Sequence, residues 1–237
     1  MPKKVKKQRR KRNMITEQLS SHRGTPLRKN KDIPLVIKLN SSKLTDIFLI
    51  NGSQFLTRNI LPEDLEIAPH THYMIINRSD EELQLKFSKD FTDHTIVYDP
   101  YKYEDSNFPK INPDEFKKVH DIPEGYIDIL PKWYSIKFTY PDFNLIFIRP
   151  QLGISFQIHQ ERSEYWEIVK GKPIVISGTH VYYYVKSGTH IENPVGNYHS
   201  IINPNTKSDQ FVVIKERWSG HFDEEDIERV FNPNHYK

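Results

Sequence analysis

The chain has 237 residues, 34 Lys and Arg against 31 Asp and Glu, a net charge of +3 and no cysteine. A disulfide framework and a thiolate metal site are therefore excluded. No apolar run approaches the roughly 20 residues of a membrane-spanning helix, and the chain's start lacks the apolar core of a secretion signal, so an intracellular protein with no membrane partner is expected.

The charge is uneven. Residues 1–31 hold twelve Lys or Arg and one acid, Glu17, a net +11 that leaves −8 for the remainder. Lys3–Arg12 has no apolar periodicity, so this stretch is expected to be a disordered basic arm, residues 1–31. Such an arm suits nuclear import or a weak, unselective contact with nucleic acid or another polyanion. No aromatic residue interleaves the run, so base stacking on it is not expected.

Aromatic residues make up 12% of the chain and there are sixteen prolines, which favours many short strands joined by turns. Residues 32–127 read as a β-rich region of unknown role, either a small sandwich or an extension of the C-terminal β domain. PLVIKL, DIFLI, SQFL, YMIINR and ELQLKFS are its strands. Asn51-Gly52 is a hairpin signal, and Asn77 to Asp80 reads as a longer hairpin loop. His70 and His72 read as a loop or surface pair, because no third ligand lies at a fitting spacing. Asp99 to Leu130 reads as a linker or long surface loop, with a short helix over DEFKKVH that could drape over the mouth of the next domain.

Residues 128–237 read as a second β domain. NLIFIRP, ISFQIHQ, EYWEIVK, PIVIS, HVYYYVK and FVVIKERW are strands with turns every eight to twelve residues, the pattern of a sandwich or barrel. The terminal DEEDIERVF, acidic in its first turn, predicts a short helix from Asp223. On ISFQIHQ, alternation puts Ser155, Gln157 and His159 on one face and Ile154, Phe156 and Ile158 on the other. The apolar set needs a cover, either the N-terminal half or a second subunit in a homodimer.

Gln157, His159 and Glu161 share that polar face, Glu164 follows past a bend, and Pro194, Gly196 and His199 close a second turn. Two clusters of His and carboxylate on short strands suit one borderline divalent ion such as zinc in a barrel mouth. The expected metal ligands are Gln157, His159, Glu164 and His199, with Glu161 as an alternative.

These residues resemble the paired motifs of the cupin superfamily. Within it, QIHQERSEYW (157–166) and Pro194, Gly196, His199, Asn203 and Pro204 are similar to the type II mannose-6-phosphate isomerase domain. The tail is similar as well, through Gly220, Glu224, Glu225, Asp226 and Ile227. The likeness covers roughly residues 130–231. Gln160 and Glu161 stand where that family's motif continues its His run, Tyr165 where it has His, and Ser200 where it usually has Arg. The resemblance implies a mainly β, cupin-type barrel (a jelly-roll-like double-stranded β-helix) in the C-terminal half. It also implies metal-dependent conversion of mannose-6-phosphate to fructose-6-phosphate, with Arg162 as the catalytic-site residue for the phosphate and Lys170 and Lys172 as lesser helpers. The proton would be moved between adjacent carbons by Glu161 or His190. No glycine-rich nucleotidyltransferase signature is present. A sugar epimerase, an iron oxygenase using His159, Glu164 and His199, and a non-catalytic carbohydrate-binding or structural cupin are the alternatives.

Overall fold

The computed structural model describes residues 15–40, 46–57, 65–221 and 226–234. The basic run Lys3–Arg12, and the first residues of the tail expected to be helical, lie outside them. In chain order the elements begin with β1 Ile15–Leu19, β2 Leu27–Lys29, β3 Leu35–Asn40, β4 Ile47–Asn51 and β5 Gln54–Leu56. Next come β6 Leu65–Ile67, β7 His72–Asn77, β8 Leu83–Phe87, β9 Thr95–Tyr98 and the helix α1 Pro113–Val119. The second half holds β10 Asp128–Pro131, β11 Ser135–Thr139, β12 Asn144–Ile148, β13 Phe156–Ile158 and β14 Arg162–Lys170. It continues through β15 Ile174–Ser177, β16 His180–Tyr182, β17 His190–Asn193, β18 His199–Ile202, β19 Val212–Gly220 and β20 Glu228–Phe231. Among the described residues no helix is long and apolar enough to cross a membrane.

Three sheets carry the fold. A six-stranded sheet runs β10-β11-β12-β19-β14-β17 and a four-stranded sheet runs β1-β8-β3-β6. The third has ten strands, β20-β13-β18-β15-β16-β5-β4-β7-β2-β9, and passes through both halves of the chain. The joint is narrow: His180 pairs with Gln54, flanked by Phe55 N–H to Thr179 O at 2.8 Å and Val181 N–H to Ser53 O at 2.9 Å. The C-terminal five strands of the long sheet face the six-stranded sheet around a core of Ile146, Ile148, Trp166, Ile168, Val175, Ile201 and Ile214. This is the expected cupin-type barrel.

The N-terminal half supplies the cover for the barrel's other face. Phe156, Ile174, Ile176 and Ile202 pack with Phe48, Phe55, Met74 and Ile76 in one buried cluster. Ile154 departs from the expected alternation and packs on the barrel's interior core. It lies before the three residues that are truly extended, so strand parity does not govern it.

Five other expectations change. Strand pairing starts at Ile15, with β1 against β8 and β2 against β7 and β9, so residues 15–31 are not an unstructured arm. Their cations are held by acids: Arg28 by Glu17 and Arg23 by Glu104. Asn77–Asp80 does not close a hairpin, because β7 pairs with β4 and β2 while β8 pairs with β1 and β3; the segment crosses between sheets. Glu228–Phe231 is a strand, because Phe231 and its neighbours find open edge groups on β13, and sheet pairing overrides local helix preference. The helix α1 does form, capped by the Asn112 side chain. It covers the outer face of β11 and β12, where Phe116 meets Phe147 at 5.1 Å, and leaves the barrel mouth open. His72, expected at the surface, is half-buried and stacks on Tyr183 with centroids 4.2 Å apart.

One turn beside the mouth constrains its glycine. Gly220 sits at φ +101°, and a Cβ there would collide with the Glu161 carbonyl oxygen. Gly220 also pairs with Arg162. Gly220→Ala is expected to destabilise the protein by about 2 kcal/mol or more, read as a lower midpoint in urea; an unchanged midpoint would contradict this account of the turn.

Candidate metal centre

The strand β13 ends at Ile158, and the chain bends through Gln160 and Glu161 before β14 begins. The bend is pinned by the Asp226 carboxylate, which accepts the backbone N–H groups of Gln160 at 2.9 Å and Glu161 at 3.0 Å. Because the period-two rule stops there, Glu161 turns outward, is exposed, and joins neither the triad nor the cavity lining. Arg162, one residue on, turns inward instead. His190 lies on β17 opposite Glu167 and is exposed, which removes the other expected base. Lys170 and Lys172 are also exposed and do not line the barrel cavity.

His159, Glu164 and His199 come together from β13, β14 and β18. They are 1%, 3% and 1% exposed, and one donor atom from each lies within 4.8 Å of the others. Among the described residues no other such group of three forms. His159 Nε2 is 2.9 Å from Glu164 Oε1, and His199 Nε2 is 3.4 Å from Glu164 Oε2.

The other ring nitrogens settle which atoms carry protons. His159 Nδ1 donates to the Asp226 carbonyl at 2.6 Å, and His199 Nδ1 donates to the Asn197 carbonyl at 3.0 Å. A carbonyl can only accept, so Nδ1 holds a proton in each ring and each Nε2 is the atom turned toward the Glu164 carboxylate. Two imidazole nitrogens and a carboxylate turned to one point are donor types that a divalent ion takes. Backbone carbonyls that fix the outer nitrogens of a ligating histidine pair are how metal sites are oriented. The residues therefore fit, and could hold, a divalent metal ion.

Two neighbours shape the electrostatics. Arg162 is buried; its Nε donates to Glu164 Oε1 at 3.3 Å and its Nη2 lies 3.3 Å from His159 Nε2. Gln157 is buried beside them, with Nε2 at 3.2 Å from His199 Nε2 and Oε1 accepting from Ser155 Oγ at 2.9 Å. Its amide oxygen is thus turned from the triad, unlike the expected ligand geometry. Burial pushes the Glu164 carboxyl up, but its contacts with His159 and His199 more than reverse this and hold it far below the usual carboxylate range.

Sequence reasoning missed Glu216. It lies on β19 with the interior parity of Val212 and Ile214, and an acid in that apolar register was the available signal. Its Oε1 accepts from Asn144 Nδ2 at 2.8 Å and its Oε2 from Trp166 Nε1 at 3.2 Å. The same indole N–H lies 3.2 Å from Glu164 Oε2. Burial, then the nearby Glu164 charge, pushes the Glu216 carboxyl up to about 7. Both carboxylates line one cavity of about 110 Å³, together with Ser155, Gln157, Lys132, Lys137, Arg162 and Arg229.

Residues 134–232, somewhat under half of the chain, match the family model described as mannose-6-phosphate isomerase C-terminal. Over those residues the chain is similar to that family. A search of the curated proteins finds no match to the chain. Solved structures with a similar course include a protein from Planctomyces limnophilus, at 13% identity over 45% of this chain and 96% of that one, with a TM-score of 0.34. Oxalate decarboxylase from Lactobacillus farciminis is another, at 11% identity over 90% and 78%, TM-score 0.36. A third is CapF, at 18% identity over 52% and 35%, TM-score 0.34. Within the cupin domain, Pro194, Gly196 and His199 of the second motif form the turn that delivers one imidazole. Gly196 N–H donates to the His159 carbonyl at 2.8 Å, so the two motifs are joined at the backbone as well as at the site.

Proposed function

We propose that the cupin domain binds a divalent metal ion, zinc by its donor set, through His159, His199 and Glu164, and isomerises a phosphorylated sugar, mannose-6-phosphate to fructose-6-phosphate. The observation that carries this reading is the convergence of two Nδ1-pinned imidazoles on Glu164, which lines a cavity shared with a second, readily protonated carboxyl. The metal would supply polarisation of a sugar carbonyl and its neighbouring hydroxyl. Glu216, as the carboxylate, takes the proton from C2 and returns it to C1. The hydroxyl proton passes from O2 to O1, so no atom or electron is gained or lost. Trp166 holds Glu216 by its indole N–H, and Asn144 holds the second oxygen. Lys132, Lys137 and Arg229 line the cavity and set a positive field for a phosphate.

Arg162 favours a second reading. Its guanidinium already rests against His159 and Glu164, so it can supply the positive charge there in a non-catalytic binding cupin. Purified protein loaded with Zn²⁺ and assayed for mannose-6-phosphate to fructose-6-phosphate conversion separates the two. Turnover that is lost on chelation and returns with metal supports the isomerase. Bound metal without turnover removes the proposed reaction, and failure to bind Zn²⁺ leaves the Arg162-filled barrel.

A further inference from the structure

We propose that Asn193 is a further ligand of the same cation, its side-chain oxygen adding to the shell formed by His159, Glu164 and His199. This rests on the metal reading above. Asn193 closes β17 directly opposite Glu164 on β14. Opposed residues of an antiparallel ladder project side by side from one face, so the amide stands next to the ligand carboxylate inside the barrel.

Asn193 is 1% exposed, and neither its Nδ2 nor its Oδ1 has a hydrogen-bond partner. A buried amide with both ends unsatisfied is costly and calls for a partner the protein itself does not supply. Other buried amides nearby are engaged. Asn203 donates to the Ile148 and Gln210 carbonyls, Gln157 is held by Ser155 and His199, and Asn144 donates to Glu216 although its oxygen is unpaired; Asn193 is unpaired at both ends. Gln157 was the amide expected as a ligand from the sequence, yet its oxygen is committed elsewhere while that of Asn193 is open.

The chain path gives the same answer. Residues 193–199 form one tight segment with Asn193 at its start and His199 at its end. Asn197 N–H closes the turn on the Pro194 carbonyl at 3.1 Å, and Gly196 N–H clamps it to His159. The Asn197 carbonyl then fixes the His199 ring. One turn thus connects Asn193, which stands opposite Glu164, to the ligand His199, and an amide oxygen is an ordinary donor to a divalent ion.

The test uses the full chain, stripped with a chelator and titrated with Zn²⁺ by calorimetry, alongside thermal melting with and without Zn²⁺. Asn193→Ala is expected to weaken Zn²⁺ binding about 10- to 100-fold without lowering the melting temperature of the stripped protein, because only an unsatisfied amide is lost. Asn193→Asp, of the same shape, is expected to retain or tighten binding and to lower the melting temperature of the stripped protein by crowding Glu164. An Asn193→Ala affinity within twofold of the parent overturns the proposal while leaving the metal site intact. So does an equal loss of stability in stripped and loaded protein, which marks a structural role. Should Asn193→Ala not fold, Asn193→Asp decides alone, and weaker binding overturns the proposal. If the parent protein binds no Zn²⁺, this proposal and the metal reading fall together.

Discussion

Replacing His159 and His199 together by alanine is expected to abolish Zn²⁺ binding while the protein stays folded. The two rings supply both nitrogen donors, and their Nδ1 atoms tie the site to the carbonyls of Asp226 and Asn197. What remains is Glu164 beside Arg162 and Trp166, with no nitrogen donor left for a transition metal even if Asn193 adds its oxygen. Loss of two of three donors should reduce affinity by far more than the roughly 10- to 100-fold that outer-shell changes cause. The fold should survive because most of the barrel core, Ile146, Ile148, Ile168, Ile201 and Ile214, is aliphatic packing to which neither ring belongs. Metal content by elemental analysis and a cooperative urea transition are the measurements. Unchanged metal content in the folded double variant would refute the site.

Glu216→Gln is expected to lower the turnover number about 10²- to 10⁴-fold, the range for losing a proton-transfer group, with zinc content unchanged. The amide keeps the side chain's size and an oxygen to accept from Asn144, but it can carry no proton to carbon. A second readout is independent of turnover. The Glu216 pKa is raised to about 7 in the folded chain from an ordinary carboxylate value near 4.3 when unfolded. Between those values the folded state binds more protons than the unfolded state, so stability falls as pH rises. In the metal-free protein the parent should lose up to about 3 kcal/mol relative to Glu216→Gln between pH 4 and pH 7. Parallel stability curves for the two proteins would mean that Glu216 titrates as an ordinary acid, and unchanged turnover would remove it from the chemistry.

The amino-acid order alone determined a good deal. Period-two alternation of apolar residues marked most long strands, and Asn51-Gly52 marked the first hairpin. The spacing of His159, Glu164 and His199 with Pro194 and Gly196 marked the site, because ligands on short strands need fixed side-chain parity. The charge run at the start of the chain was equally legible, although strand pairing from Ile15 takes residues 15–31 out of the arm it implied, and the run itself lies outside the described residues. Alternation failed wherever a strand stopped: at Ile158, Asp226 captures two backbone N–H groups from 65 and 66 residues away, sending Glu161 outward and Arg162 inward. No local pattern contains that contact. Glu216, Asn144 and Asn193 gained their roles in the same way, since what matters in each is which partner a distant strand supplies or withholds. The tail shows the limit most clearly. Glu228–Phe231 has the composition of a helix end, yet a free edge on β13 and the pocket around Phe156 make it a strand. Local preference is worth tenths of a kcal/mol per residue, whereas burying Phe231 against the core contributes about 2 kcal/mol, and only the folded chain offers that core.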